Sequence, residues 1–124
     1  MSPLTITTRD AATGPVLEIT GELDHHTAPE LRQAVNDTTV AAGQLLVLDL
    51  ARLDFCDSSG ISALLSARSH TTEQGAGIAL AAVPANTARI LRIVGLDRVF
   101  TIHDDVKAAT AAGASDPSCR QRIV

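Results

Sequence analysis

Leu45-Leu46-Val47-Leu48-Asp49-Leu50 is a short, nearly continuous apolar run. A run of that length without polar alternation reads as a strand covered on both faces. Such a strand lies in the middle of a sheet, and helices supply its cover. Gly43 closes the segment before it, and the irregular stretch Ala51-Arg52-Leu53-Asp54-Phe55-Cys56 after it reads as a connection. That connection leads into Asp57-Ser58-Ser59-Gly60, where three successive residues are able to cap a helix. Beyond the tetrad, Ile61, Leu64, Leu65 and Arg68 recur at helical spacing, with the Arg68 stem at the border of the stripe. Gly75 to Gly77 stops that helix.

Working outward, Leu4 to Thr8 and Val16 to Thr20 read as two strands joined through Gly14-Pro15 as an antiparallel hairpin, and Gly21 breaks the second run. Thr27 reads as the N-cap of a first helix, with Pro29 in its first turn and Glu30 placed to complete a capping box. Leu31, Ala34, Val35 and Thr38 line one face of that helix. On the far side of the centre, Ile78 to Val83 reads as another buried strand, and Asn86 as the cap of a third helix carrying Ala88, Leu91, Ile93 and Val94. Val99 to Ile102 is a short strand. Asp104-Asp105 opens a last helix through about Ala112, where acidic side chains suit the positive end of the dipole. The order implies an α/β fold: a mixed sheet of about five strands, parallel after the initial hairpin, with about four helices. Residues 1–112 read as one domain and 113–124 as a flexible C-terminal tail. In such a sheet the loops leaving the carboxyl ends of the strands gather on one rim, where ligands and partners bind. That rim receives Asp57, Ser58 and the loop from Gly21 to His26.

The chain has 124 residues, enough for one core and too few for two. It is 45% hydrophobic but only 2% aromatic, so Leu, Ile, Val and Ala must build the core and almost nothing is left for stacking a cofactor or a base. A formal net charge of -4 without a dense Lys/Arg cluster argues against nucleic acid as a direct partner. Cys56 and Cys119 match no metal-ligand spacing and no disulfide framework, which fits a reducing compartment. No window approaches the ~20 apolar residues that span a bilayer, and Met1 to Asp10 holds no apolar run. The expected location is the cytoplasm, away from the membrane, and no cofactor is expected.

Two readings stand for Ser58. It is a helix cap, or it is a phosphorylation site at a helix N-terminus, where unpaired N–H groups and the dipole tolerate a phosphate. A phosphate there adds about -1.5 to -2 charges beside Asp57 and repels a docked partner.

Three segments carry a family resemblance: Asp57-Ser58-Ser59-Gly60 after an apolar strand, Val16-Leu17-Glu18-Ile19-Thr20-Gly21-Glu22-Leu23-Asp24, and Val94-Gly95-Leu96-Asp97-Arg98-Val99-Phe100. In that order and spacing they resemble the single-domain anti-sigma factor antagonists of bacteria, built on the STAS domain. The resemblance runs from about Leu4 to Ala112. It implies a non-enzymatic binding switch without a cofactor. Unphosphorylated protein captures an anti-sigma factor that is a serine kinase, phosphorylation of Ser58 breaks the capture, and a PP2C-type phosphatase restores it. The partner-binding residues so implied are Asp24, His25, Asp57, Ser58, Ser59, Gly60 and Ile61. Two positions depart from the family pattern: Ile61-Ser62 follows the tetrad where Leu-Gly is frequent, and Cys56 replaces a larger apolar residue.

Other functions compete on the same residues. A STAS-type scaffold or ligand sensor would share everything but the partner. A small serine hydrolase would take Ser58 as nucleophile with a loop histidine as base, but there is no Gly-x-Ser-x-Gly elbow. His25-His26 could ligate a metal only with help from elements elsewhere, such as His70 or His103. Gly75-Ala76-Gly77 lacks the Lys and Ser/Thr of a phosphate-binding loop.

Overall fold

The computed structural model of the chain describes residues 4–115. Ten elements follow in chain order: β1 (Thr5–Ala11), β2 (Gly14–Leu23), α1 (Ala28–Asp37), β3 (Leu45–Cys56), α2 (Ser58–Glu73), β4 (Gly77–Ala81), α3 (Ala85–Ile93), a single 3-10 turn (Leu96–Arg98), β5 (Thr101–His103) and α4 (Val106–Ser115). The five strands form one sheet in sequential order, with β1 antiparallel to β2 and each later neighbour parallel. This is the mixed α/β sheet with four helices that the apolar patterning predicts.

Alternation along β3 assigns the two faces. Leu46, Leu48 and Leu50 join Leu17, Ile19 and Leu80 in the main core, together with Leu31 and Val35 of α1, Ile61 and Leu64 of α2, and Leu91 of α3. Val47 points the other way, into a small cluster with Val16, Ala81 and Ala109 of α4. Three helices thus cover one face and one helix covers part of the other. The uncovered part of that second face is polar, as Glu18, Thr20, Asp49 and Arg52 show.

Several boundaries differ from the sequence expectation, each for a physical reason. Gly21 does not end β2, because with φ 112° it lets the strand bend and continue to Leu23. Ala51 to Cys56 is not a loop but the second half of β3. The ladder to β2 steps from Glu18↔Asp49 to Thr20↔Arg52, and again from Gly21↔Leu53 to Glu22↔Phe55, so β3 carries one extra residue at each of two bulges. β4 stops at Ala81 because Ala82 turns left-handed, with φ 55°. Asn86 lies inside α3 instead of capping it; Pro84 holds the cap position with no side-chain bond. The buried stripe of α3 is Thr87 and Leu91, leaving Ile93 75% and Val94 55% exposed. α4 runs to Ser115, three residues past the expected end, and residues 116–124 of the expected tail lie outside the described residues.

Candidate functional site

The site is built where β2 and β3 end side by side. Leu23 pairs with Cys56 in the parallel ladder, so the loop after β2 and the start of α2 leave the sheet next to each other. Asp57 N–H donates to the Leu23 carbonyl at 3.3 Å, which joins the two directly. Asp24 and Asp57, 33 positions apart by their numbers, therefore sit on one rim, as the topology predicts.

Asp57 is the N-cap of α2. It has extended backbone, and its Oδ1 accepts the Gly60 N–H at 3.1 Å while its carbonyl accepts the Ile61 N–H at 3.0 Å. Ser58 is the first helical residue and is exposed. Its reading as the cap is thereby corrected: the longer carboxylate of Asp57 reaches the third N–H, and the Ser58 hydroxyl is left free of that task. The first N–H groups of a helix have no acceptor within it. With Asp57 serving Gly60 and Ile61, those of Ser58 and Ser59 find no acceptor among the hydrogen bonds of the described residues. Ser59 is half-buried, and Gly60 and Ile61 are buried. Among the seven residues expected to meet a partner, Gly60 and Ile61 thus lie beneath the surface, and Asp24, His25, Asp57, Ser58 and Ser59 reach it.

The neighbouring loop is held by its own hydrogen bonds. Thr27 is not a side-chain cap of α1 and makes no capping box with Glu30. Its hydroxyl instead donates to the Glu22 carbonyl at 2.7 Å and accepts the Asp24 N–H at 2.9 Å. Asp24 supplies the turn: its Oδ1 accepts the His26 N–H at 2.9 Å and the Thr27 N–H at 3.1 Å. Partial desolvation works against charge on Asp24, but those two backbone donors and the nearby His26 outweigh it, so its carboxyl titrates below the ordinary 3.8. His25 and His26 point outward, their rings 5.4 Å apart and inclined at 63°. Sequence reading missed the part played by Thr27, because a Thr two residues before Pro29 has the pattern of an ordinary cap.

Cys56 packs beneath the site, 6% exposed. Burial, and secondarily the charge of Asp57, push its thiol up to about 12, so it is a neutral, inert packing residue at physiological pH. Among the described residues no group of three or more His, Cys, Asp or Glu is arranged to hold a metal ion. No helix among the described residues is long and apolar enough to cross a membrane.

This arrangement has known counterparts. Residues 4–109 match the sequence pattern of the STAS domain. The chain is 32% identical over 105 residues to the anti-sigma-F factor antagonist RsfB of Mycobacterium tuberculosis, covering 82% of this chain and 85% of that one. It is 33% identical over 98 residues to an anti-sigma F factor antagonist of Paenibacillus polymyxa, covering 77% and 83%. The crystal structure of an anti-sigma factor antagonist from Mycobacterium paratuberculosis superposes with a TM-score of 0.79 at 28% identity, covering 90% of this chain and 95% of that one. With the fold, the capped helix after the central strand and this sequence likeness in agreement, the chain belongs to the STAS-domain family, among relatives that are anti-sigma factor antagonists.

Proposed function

We propose that this protein is an anti-sigma factor antagonist, a regulatory binding protein and not an enzyme, which captures an anti-sigma factor serine kinase at the rim formed by Asp24, His25, Asp57, Ser58 and Ser59. Capture frees the sigma factor. Phosphorylation of Ser58 ends the capture, and a PP2C-type phosphatase resets the protein. The cycle runs in the cytoplasm.

The observation that carries this reading is the placement of Ser58. It is exposed at the first position of α2 while Asp57 does the capping, so its hydroxyl is available and the fold does not depend on it. A phosphate on that hydroxyl meets the positive end of a 16-residue helix. Gly60 and Ile61 support the surface from below. The relatives named above as anti-sigma factor antagonists add the class of partner.

The test is to purify each anti-sigma factor encoded in the source genome and measure binding to this protein by calorimetry, then incubate the binder with ATP and map phosphate by fragmentation. One anti-sigma factor is expected to bind stoichiometrically and to phosphorylate Ser58. Binding by none of them, or phosphate found only on Ser59 or elsewhere, overturns the reading.

A further inference from the structure

We infer that Thr27 is a positioning residue of the partner surface: its buried hydroxyl locks the Glu22–Thr27 turn so that Asp24 to His26 are held ready beside Ser58. The inference rests on the proposed function, since it concerns how the same rim is prepared for an anti-sigma factor.

Thr27 is 8% exposed, and a hydroxyl buried to that extent needs partners. It has one proton and two lone pairs. The proton goes to the Glu22 carbonyl at 2.7 Å, and a lone pair takes the Asp24 N–H at 2.9 Å. Its 3.2 Å approach to Asp24 Oδ1 is the weaker contact, because the proton is already committed. Asp24 Oδ1 is then free to serve the His26 and Thr27 N–H groups, and the Asp24 carbonyl accepts the Ala28 N–H at 2.8 Å.

The hydroxyl therefore bridges the strand end at Glu22 and the turn at Asp24, serving a carbonyl of the one and an N–H of the other. The turn in its turn holds the backbone that carries the exposed His25 and His26, through the His26 N–H on Asp24 Oδ1. The geometry of this loop matters to Ser58 because Leu23, inside the bridged segment, accepts the Asp57 N–H at 3.3 Å. One backbone hydrogen bond separates the pinned turn from the helix cap. A loop fixed before contact spares the ordering cost that a mobile one incurs on binding.

The experiment compares Thr27→Val, which keeps the shape and removes the hydroxyl, with Thr27→Ser, which keeps the hydroxyl. Val35→Ala, a core change in α1 away from the rim, serves as a control for general destabilisation. Each variant is checked for folding by circular dichroism, and Thr27→Ala replaces Thr27→Val if the latter does not fold. Amide exchange is followed at Asp24 and His26, and binding is titrated with the panel of purified anti-sigma factors. Thr27→Val is expected to speed exchange at those two amides and to weaken binding by roughly tenfold or more, while Thr27→Ser stays within about threefold of the parent. Val35→Ala is expected to lose stability and keep its affinity. Unchanged affinity in Thr27→Val, or an equal loss in Val35→Ala, overturns the positioning role and leaves the proposed function standing. Lost affinity without faster exchange also overturns it, because Thr27 would then act by direct contact. If the parent binds none of the panel, the proposed function falls and this inference with it.

Discussion

Leu23 leaves no room for a side chain on Gly60: a Cβ there would stand 2.8 Å from the Leu23 carbonyl oxygen and 2.9 Å from its Cγ, with Cys56 Sγ at 2.7 Å. The first turn of α2 is thus seated directly on the end of β2. That contact makes one surface of two loops distant in sequence, so the glycine of the tetrad belongs to packing more than to capping.

Gly60→Ala follows from this contact. Alanine gains about 1 kcal/mol of helix propensity over glycine, but overpacking against an immobile carbonyl costs about 1–3 kcal/mol or more. The backbone oxygen cannot rotate away, so the steric term wins. The expected outcome is a lower melting temperature together with shifted amide resonances at Leu23, Asp24 and Ser58. A protein as stable as the parent with an unchanged spectrum would show that α2 does not sit this close.

Asp57 and Ser58 should separate cleanly in stability measurements. Asp57→Ala removes the side chain that accepts the Gly60 N–H and is expected to cost about 1 kcal/mol, within the usual range for a lost cap. Ser58→Ala removes an exposed hydroxyl with no capping duty and is expected to stay within about 0.5 kcal/mol of the parent. Chemical denaturation of both variants checks the pair. A larger loss from Ser58→Ala than from Asp57→Ala would return the cap to the serine.

Most of the architecture was legible in the sequence because it depends on apolar continuity. Leu45 to Leu50 marks the central strand, and the alternation of strands and helical stripes around it yields a mixed sheet, parallel after the first hairpin, and the shared rim. Three things were hidden. The bulges of β3 disrupt the two-residue period, so Ala51 to Cys56 looks irregular although it pairs with β2 as far as Cys56. Caps depend on which of several competent side chains reaches an N–H: Asp57 prevails over Ser58, and at α1 Asp24 forms the turn that Thr27 seemed suited to cap. The faces of α3 depend on how a short helix meets the sheet, which leaves Ile93 in solvent although its residue type suits a core. For the site, the sequence placed Ser58 on the rim, but only packing distances reveal that Gly60 and Ile61 lie below it.

Cys56 predicts a pH dependence of stability. Its thiol is raised from 9.0 to about 12 in the fold, so the folded state holds the proton more tightly than the unfolded chain. The associated stability is fully present below 9.0 and is lost as pH rises from there towards 12. Denaturation profiles of the parent should fall more steeply over that window than those of Cys56→Ala. In the native protein at pH 8, peptide mapping after brief treatment with a thiol reagent should find Cys56 unmodified. Rapid labelling of Cys56 would mean that the layer beneath the rim opens readily.

Phosphorylation of Ser58 is expected to abolish capture through local charge and sterics, with the fold unchanged. The dipole of α2 and the unshared N–H groups of Ser58 and Ser59 favour a phosphate by an amount on the order of 0.3–2 kcal/mol, so the domain has no reason to rearrange. The cost falls on the interface. A dianion pressed against a partner must shed its water beside the half-buried Asp57, and burying such a charge without compensation costs several kcal/mol. A loss of about 3 to 4 kcal/mol corresponds to a weakening of some hundredfold or more, enough to release the partner. Ser58→Asp, with a single charge and fewer acceptors, should weaken binding less than true phosphate. Calorimetric titration of the phosphorylated and unmodified forms, set beside their amide spectra, checks both halves of the argument. Shifts confined to α2's first turns and the Glu22–Thr27 loop fit the local mechanism; shifts spread through β4 and α3 would indicate a conformational one, and equal affinities would rule out the switch.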